Sequence, residues 1–365
     1  MKLFLYPVSL LYGFVVFIRN LLFDYKFLKS YEFDIPIISI GNITVGGTGK
    51  TPHTEYLIGL LEKEFKIATL SRGYKRKTSG FVLASDSTNA SEIGDEPMQI
   101  KSKYPNIQVA VAEKRVIGIQ NLLAQPKEQK PDAILLDDAF QHRYVKPGVN
   151  ILLIDYNRPI NEDSLMPLGR LRESDKAIKR ANMIIITKCP SQIKPIERRI
   201  IAKQIDLRPY QKLFFTTIDY GHLTPAFDKF TNHSNFYTEK NCSVLLVTGI
   251  ANPFLLKKHL TPFARSIEEI HYPDHYTFKN SDIKNIQKKY DEMGGSKKIV
   301  ITTEKDVMRL REMDCIDDEL KRHIFYIPLK IKFLDNEGKE FDRKIVNYVR
   351  ENKSNFELHS RNNKV

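Results

Sequence analysis

The chain has 365 residues, 42% of them apolar and 28% charged, a composition ordinary for a globular protein and large enough for one big domain or two. Its 57 lysines and arginines against 44 acidic residues leave a net charge of +13, which favours an anionic partner: a phosphorylated substrate, an anionic membrane face or nucleic acid. Cys189, Cys242 and Cys315 lack metal-ligand spacing and are odd in number, which excludes a thiolate zinc site and a disulfide framework.

The first predicted element is apolar. Residues 3–18, "LFLYPVSLLYGFVVFI", carry no charge; Arg19 then interrupts and "LLF" follows. A bilayer span needs about 20 apolar residues, so the run is short, and Pro7 falls inside it. No small-x-small cleavage site follows, which argues against a signal peptide. Phe4, Tyr6, Tyr12, Phe14 and Phe17, with Lys2 and Arg19 at the ends and Lys26 and Lys29 beyond, suit a helix lying in a membrane interface. A buried helix of the soluble core is the other reading. Residues 1–30 are assigned to this element.

Short apolar runs at 35–40, 66–70, 107–111, 133–138, 150–155 and 183–187 predict strands, and 51–64, 113–124 and 191–204 predict helices between them. The alternation predicts an α/β fold over 31–217, with a mainly parallel sheet and helices on both faces; runs such as "AILL" lack polar interruption, as strands covered on both sides do.

The first of these strands runs into "GNITVGGTGKTP" (41–52), in the strand–loop–helix setting that a phosphate-binding loop requires. Gly46, Gly47 and Gly49 can turn backbone N–H groups inward, and the helix behind them adds its open N-terminus. Lys50 would reach the β- and γ-phosphates and the Thr51 hydroxyl a Mg²⁺ ion. Thr44 replaces the first glycine of the usual pattern, and Thr48 completes the expected nucleotide-binding set of residues 44 and 46–51. Pro52 is harmless, because a first helical turn has no use for its N–H. Asp137 and Asp138 end the strand at 133–138 and are candidates to hold Mg²⁺. A guanine-reading segment is lacking: "ITKCP" has Lys188 but Pro190 where an aspartate would stand, so ATP is expected.

Four further segments carry polar groups suited to catalysis. "SRGYKRK" (71–77) places Arg72, Lys75, Arg76 and Lys77 on the same sheet edge, where they would meet an anionic acceptor or form a solvated basic loop. "IGDEPMQI" puts Asp95 and Glu96 at a helix start, where a carboxylate would act as general base or merely cap the helix. "MPLGRLRES" adds Arg170, Arg172 and Glu173. "HYPDHYTF" holds His271, Asp274 and His275, with no third soft ligand to make a metal site.

Around 218–241 the pattern turns polar and turn-rich, as an interdomain connection does. Strand-like runs at 244–250, 298–303 and 323–333 and helix-like ones at 279–291 and 304–312 then predict a smaller C-terminal α/β domain over 242–350. Its closing over the active site is expected only if this domain supplies a catalytic histidine. Residues 351–365 carry little apolar material and are expected to fray.

In this order, "GNITVGGTGKTP", "LSRGY", "GDEP", "LLDDAFQHR", "MPLGRLRE", "HYPDHYTF" and "TTEKD" resemble the tetraacyldisaccharide 4'-kinases of lipid A biosynthesis. Each motif is modest and the ordered set, spread over 39–306, is specific. The family shares the missing first glycine and the proline; Met166 stands where leucine is usual. The resemblance implies transfer of the ATP γ-phosphate to the 4'-hydroxyl of an acylated glucosamine disaccharide 1-phosphate, at the cytoplasmic face of a Gram-negative inner membrane, with the enzyme peripheral or monotopic. It further implies Asp95 as general base supported by His275 rather than His271, with Lys50 and Thr51 on nucleotide and Mg²⁺. Asp137, Asp138 and Glu173 would surround the metal, and Arg72 would face the acceptor or the transferred group. An anionic membrane surface is an expected partner and nucleic acid is not, since no stacking array or known module supports it. The rival readings are another P-loop kinase or ATPase with a soluble substrate, and a membrane-associated nucleotide-dependent binding protein.

Overall fold

The structure, a computed structural model, describes residues 2–227, 240–250, 252–274 and 276–362. It divides into two compact units, Met1–Ile218 with Ile331–Val365, and Asp219–Lys330.

The first unit opens with helix α1 (Lys2–Asp24). Strands β1 (Ile37–Gly41), β2 (Ile67–Ser71), β3 (Val82–Leu83), β4 (Gln108–Val111), β5 (Ala133–Asp137), β6 (Val149–Asp155), β7 (Met183–Thr187) and β8 (Lys212–Tyr220) follow. They join a late strand, Leu329–Phe333, in a nine-stranded sheet, where β1 lies between β5 and β6. The pairings β1–β5, β1–β6, β2–β5, β2–β4, β6–β7 and β7–β8 are parallel. The short β3 runs antiparallel to β4, and the late strand runs antiparallel to β8, with Leu334 N donating to Phe215 O and Gly221 N to Pro328 O. Parallel strands need crossovers, and helices α2 (Lys50–Leu61), α3 (Ala90–Ile93), α4 (Asp95–Lys103), α5 (Arg115–Leu123) and α6 (Pro195–Ile205) supply them.

Isoleucine and leucine fill both faces of the central strands, which is why these strands read as unbroken apolar runs. Ile38 and Ile40 join one layer with Leu57, Ile58 and Leu61 of α2, while Ile37 joins the opposite layer with Ile119 and Leu122 of α5. Leu152 and Ile154 face a third cluster with Ile160, Ile178 and Ile186. All these parallel strands point their carboxyl ends at one edge, the edge that carries the loops 42–49, 72–77, 138–143 and 156–175.

Helix α1 is built inside out. Ser9, Tyr12, Arg19 and Asn20 turn toward the protein: the Ser9 hydroxyl donates to Leu165 O (2.8 Å), Tyr12 to Arg172 O (2.9 Å) and Arg19 to Gln141 O (2.7 Å). Phe4, Leu10, Leu11, Phe14, Val15 and Phe17 face outward and are more than half exposed. The span from Phe4 to Asp24 is long and apolar enough to cross a membrane. The reading of this segment as a buried core helix therefore does not hold.

The second unit holds β9 (Thr224–Pro225), β10 (Cys242–Thr248), β11 (Ala264–His271), β12 (Lys298–Thr303) and β13 (Ile324–Ile327) in the order β11-β10-β12-β13-β9, parallel except for β9. Two expectations need correction here. The run 323–333 is not one strand: Pro328, which has no N–H for a ladder, separates β13 from β14 (Leu329–Phe333), and the two belong to different sheets. The second unit also ends at Lys330 rather than residue 350. The chain returns to the first unit as a long helix, Gly338–Asn362, whose Phe341, Ile345 and Val349 recur every four residues and pack on the α2 layer. Tyr56 anchors this helix by donating to Asp342 (2.8 Å). Most of the tail expected to fray is thus helical backbone. Of the expected connection 218–241, residues 228–239 lie outside the described residues.

Candidate active site

Gly41 ends β1 and the chain enters the glycine-rich loop. Thr44, at the place of the missing glycine, is extended and bridges Leu171 across an antiparallel contact, with Val45 N donating to Arg170 O (2.8 Å) and Arg172 N to Ile43 O (2.7 Å). An extended residue needs no glycine, so the departure from the usual pattern has a conformational reason. Gly46 (φ 109°) and Gly49 (φ 87°) occupy the left-handed half of backbone space, where a side chain is strained. Gly47 has an ordinary φ, and a Cβ there would meet nothing within 4 Å. The loop is open on that side. Thr48 is buried and its hydroxyl accepts from Asn42 Nδ2 (2.9 Å). Lys50 and Thr51 begin α2, and Pro52 sits in its first turn.

The ends of β5 and the loop after β6 meet this helix start. Asp138, in a left-handed conformation (φ 47°), lies between two cations: Lys50 Nζ at 3.6 Å and Arg172 Nη1 at 3.1 Å. Burial works against its charge, but the Lys50 and Arg172 charges together hold its carboxyl below the usual range. Asp137 accepts the Thr54 hydroxyl at 3.0 Å. Burial, reinforced by the neighbouring Asp138 charge, pushes it up to about 6 against an ordinary 3.8.

Two further expected segments reach the same edge. Glu96 adds to the upward push on Asp137, and Arg72 adds positive potential at Arg115 and His142. Asp95 starts α4 and is 8% exposed. Gly73 and Gly94, both with positive φ, let the two loops cross: a Cβ on Gly73 would lie 2.8 Å from Ile93 O, and one on Gly94 3.0 Å from Tyr74 O. Within the basic cluster the cations divide. Arg76 is tied to Glu113 and the Gly80 carbonyl, whereas the Arg72 side chain stays exposed.

Glu173 stands differently from Asp137 and Asp138. It is 1% exposed, and its Oε2 accepts from Arg180 (2.8 Å) and from Asn20 of α1 (2.9 Å), leaving Oε1 as the atom available to a cation. His275 lies outside the described residues. His271 ends β11, with Nδ1 3.3 Å from the Thr248 hydroxyl.

Several site groups escaped the sequence reading. Arg115 is buried under Asp137, its pKa lowered to about 10 by burial, with Asp137 and Asp138 opposing. His142 is lowered to about 4 by burial and by the nearby Arg115, Arg19 and Arg72 charges. His53, Thr187 and Lys188 contact the glycine-rich loop itself. Only Lys188 had a signal, as the basic residue of "ITKCP".

The donor set suits a hard cation. Asp137, Asp138 and the Thr51 hydroxyl offer oxygen, and a cation between the adjacent carboxylates would oppose the burial and the Asp138 charge that raise Asp137. No group of three or more His, Cys, Asp or Glu forms a metal cage among the described residues. An ion here would complete its shell with phosphate oxygens and water, as Mg²⁺ does in nucleotide sites.

Asp137 also sets a pH dependence. Its folded pKa lies above the unfolded value, so the folded state holds the proton more tightly. Stability is then lost as pH rises from about 4 to about 6, by roughly 2–3 kcal/mol without a cation. Asp137→Asn, which keeps an acceptor for Thr54, should remove this loss. Its melting temperature is expected to exceed that of the wild type at pH 8 and to converge with it at pH 4. Equal differences at both pH values would show that Asp137 is not the titrating group.

The family described as tetraacyldisaccharide-1-P 4'-kinase matches residues 1–350. Tetraacyldisaccharide 4'-kinases of Phocaeicola vulgatus (49% identity over 351 residues, 96% of each chain) and Flavobacterium psychrophilum (48% over 353 residues, 96% of this chain and 98% of the other) are similar along nearly their whole length. A crystal structure of LpxK from Aquifex aeolicus, described as an "apo" form in complex with ATP, superposes with a TM-score of 0.72 at 28% identity, covering 95% of this chain and 99% of that one.

Proposed function

The chain belongs to the tetraacyldisaccharide-1-P 4'-kinase family, and from that premise we propose how its own residues carry out the transfer. It is an ATP-dependent kinase whose acceptor is the 4'-hydroxyl of an acylated glucosamine disaccharide 1-phosphate. The observation that carries the reading is Asp138 held between Lys50 and Arg172 at the mouth of the glycine-rich loop. With nucleotide bound, Lys50 turns from Asp138 to the β- and γ-phosphate oxygens, where its charge and the loop N–H groups stabilise the transferring phosphoryl. Thr51, Asp137, Asp138 and Glu173 would hold Mg²⁺, whose charge would offset that of the phosphates. Thr44 and Thr48 shape the loop from its buried side. Asp95 accepts the proton of the sugar hydroxyl, and Arg72 receives the acceptor's phosphate or the transferred group. The resemblance implies His275 as the support for that base.

The inside-out helix α1 gives the acceptor a route. An acylated disaccharide stays in a bilayer, so the enzyme must work at its surface. The exposed apolar face of α1 and the excess positive charge suit an anionic membrane surface, in this reading the cytoplasmic face of a Gram-negative inner membrane. Deleting residues 1–24 should shift the protein to the soluble fraction and lower phosphorylation of the acylated substrate more than basal ATP hydrolysis. Unchanged partitioning would argue against membrane contact. The transfer itself is tested with γ-labelled ATP and an acylated disaccharide 1-phosphate. A labelled bisphosphate is expected; labelled inorganic phosphate alone would favour an ATPase.

A further inference from the structure

Successive carbonyls of the glycine-rich loop are each held from behind. Gly47 O accepts from Lys188 Nζ, Thr48 O from the Thr187 hydroxyl (2.9 Å) and Gly49 O from His53 Nδ1 (2.7 Å). None of the three donors has a part in the transfer described above.

Each donor is itself fixed. Lys188 sits just past β7 in a left-handed conformation (φ 56°), and its ammonium is paired at 2.8 Å with Asp155, which is 4% exposed. Thr187 is 1% exposed at the end of β7. His53 Nε2 lies 3.0 Å from the Thr216 hydroxyl. A carbonyl only accepts, so the ring proton is on Nδ1 facing Gly49, and the Thr216 hydroxyl donates to Nε2. Burial holds this ring neutral by lowering it to about 4, so the arrangement persists through the physiological range.

Peptide planarity makes the consequence directional. In a trans peptide the C=O of one residue and the N–H of the next point opposite ways. Turning the carbonyls of 47, 48 and 49 toward these donors turns the N–H groups of 48, 49 and 50 the other way. Thr48 N–H closes a bond to Gly46 O (3.0 Å), while Gly49 N–H has no intramolecular acceptor among the described residues. Lys50 N–H is in the first helical turn, where such groups lack one by construction.

We propose that Thr187, Lys188 and His53 are positioning residues that preset the glycine-rich loop for nucleotide phosphates, so that its amides are aimed before the ligand arrives. The proposal rests on the reading of this loop as the nucleotide site. It also gives "ITKCP" a role without a base-reading aspartate: its Thr–Lys pair works on the loop.

Nucleotide affinity, read by calorimetry with the non-hydrolysable β,γ-imido analogue of ATP and Mg²⁺, tests it on the full chain. Thr187→Val should weaken binding at least about tenfold and raise KM for ATP in parallel, with KM for the lipid unchanged. Thr187→Ser, which restores the hydroxyl, should return within about threefold of the wild type. Lys188→Met alone would strand a buried Asp155, so it is combined with Asp155→Asn. That double variant should also bind at least about tenfold more weakly. Binding within twofold of the wild type in both Thr187→Val and the double variant would overturn the proposal. Equal losses in Thr187→Val and Thr187→Ser would do so too, since packing would then be responsible. A wild-type protein that bound no nucleotide would overturn the site reading and this proposal together. Nucleotide binding without transfer to the lipid would overturn only the acceptor assignment, and the affinity series would still decide the role of Thr187 and Lys188.

Discussion

Replacing Lys50 with methionine is expected to lower kcat by about 100- to 1,000-fold, the usual effect of removing one preorganised donor from a developing charge. Methionine keeps most of the stem, so the first turn of α2 should form as before. Asp138 is not stranded by the change, because Arg172 remains 3.1 Å away. The loss should therefore fall on transfer rather than on folding. Steady-state kinetics with ATP and the acylated acceptor, alongside a thermal melt, separate the two. A kcat within about threefold of the wild type, in a protein that melts normally, would remove Lys50 from the transfer step.

Asp95→Asn should cost kcat about 100- to 10,000-fold, the range of general-base contributions, with KM for ATP little changed. Asparagine has nearly the same shape and can still accept hydrogen bonds at the start of α4, so a purely structural Asp95 would tolerate it. The local frame is demanding: Gly94 precedes Asp95 with φ 94°, and the backbone of residues 73–74 passes just above it. An activity within tenfold of the wild type would assign Asp95 to that frame and move the search for the base to Glu96.

Much of this architecture was legible because both faces of the central strands are buried. Runs such as "IISI" and "ILLI" announce parallel strands, and glycines followed by lysine announce what the first one leads into. The elements missed were those with weak patterns. β8 begins among exposed residues and β11 is largely exposed, so neither offers an unbroken apolar run. The late helix buries Phe341, Ile345 and Val349, with Val346 and Tyr348 partly buried beside them, on a segment rich in charged and polar residues that mask the stripe. At the site, the sequence identified groups by motif, but it could not show that Glu173 is partly engaged by Asn20 and Arg180, since that depends on where α1 docks. His53 and Thr187 were invisible for a related reason. They act on backbone carbonyls, which have no residue-type signature.

The return of Ile331–Val365 to the first unit has a consequence for synthesis in the cell. The α2 layer is closed by Phe341, Ile345 and Val349, more than a hundred residues after β8, and the intervening unit is complete in itself between Asp219 and Lys330. On the ribosome, the apolar helix α1 emerges before the glycine-rich loop, and the residues that seal the nucleotide-binding sheet emerge only after the smaller unit. The smaller unit can fold while the larger one still waits with an open edge. A nascent chain stalled before residue 341 is thus expected to expose its α2 layer to chaperones, although every residue of the glycine-rich loop has already been made.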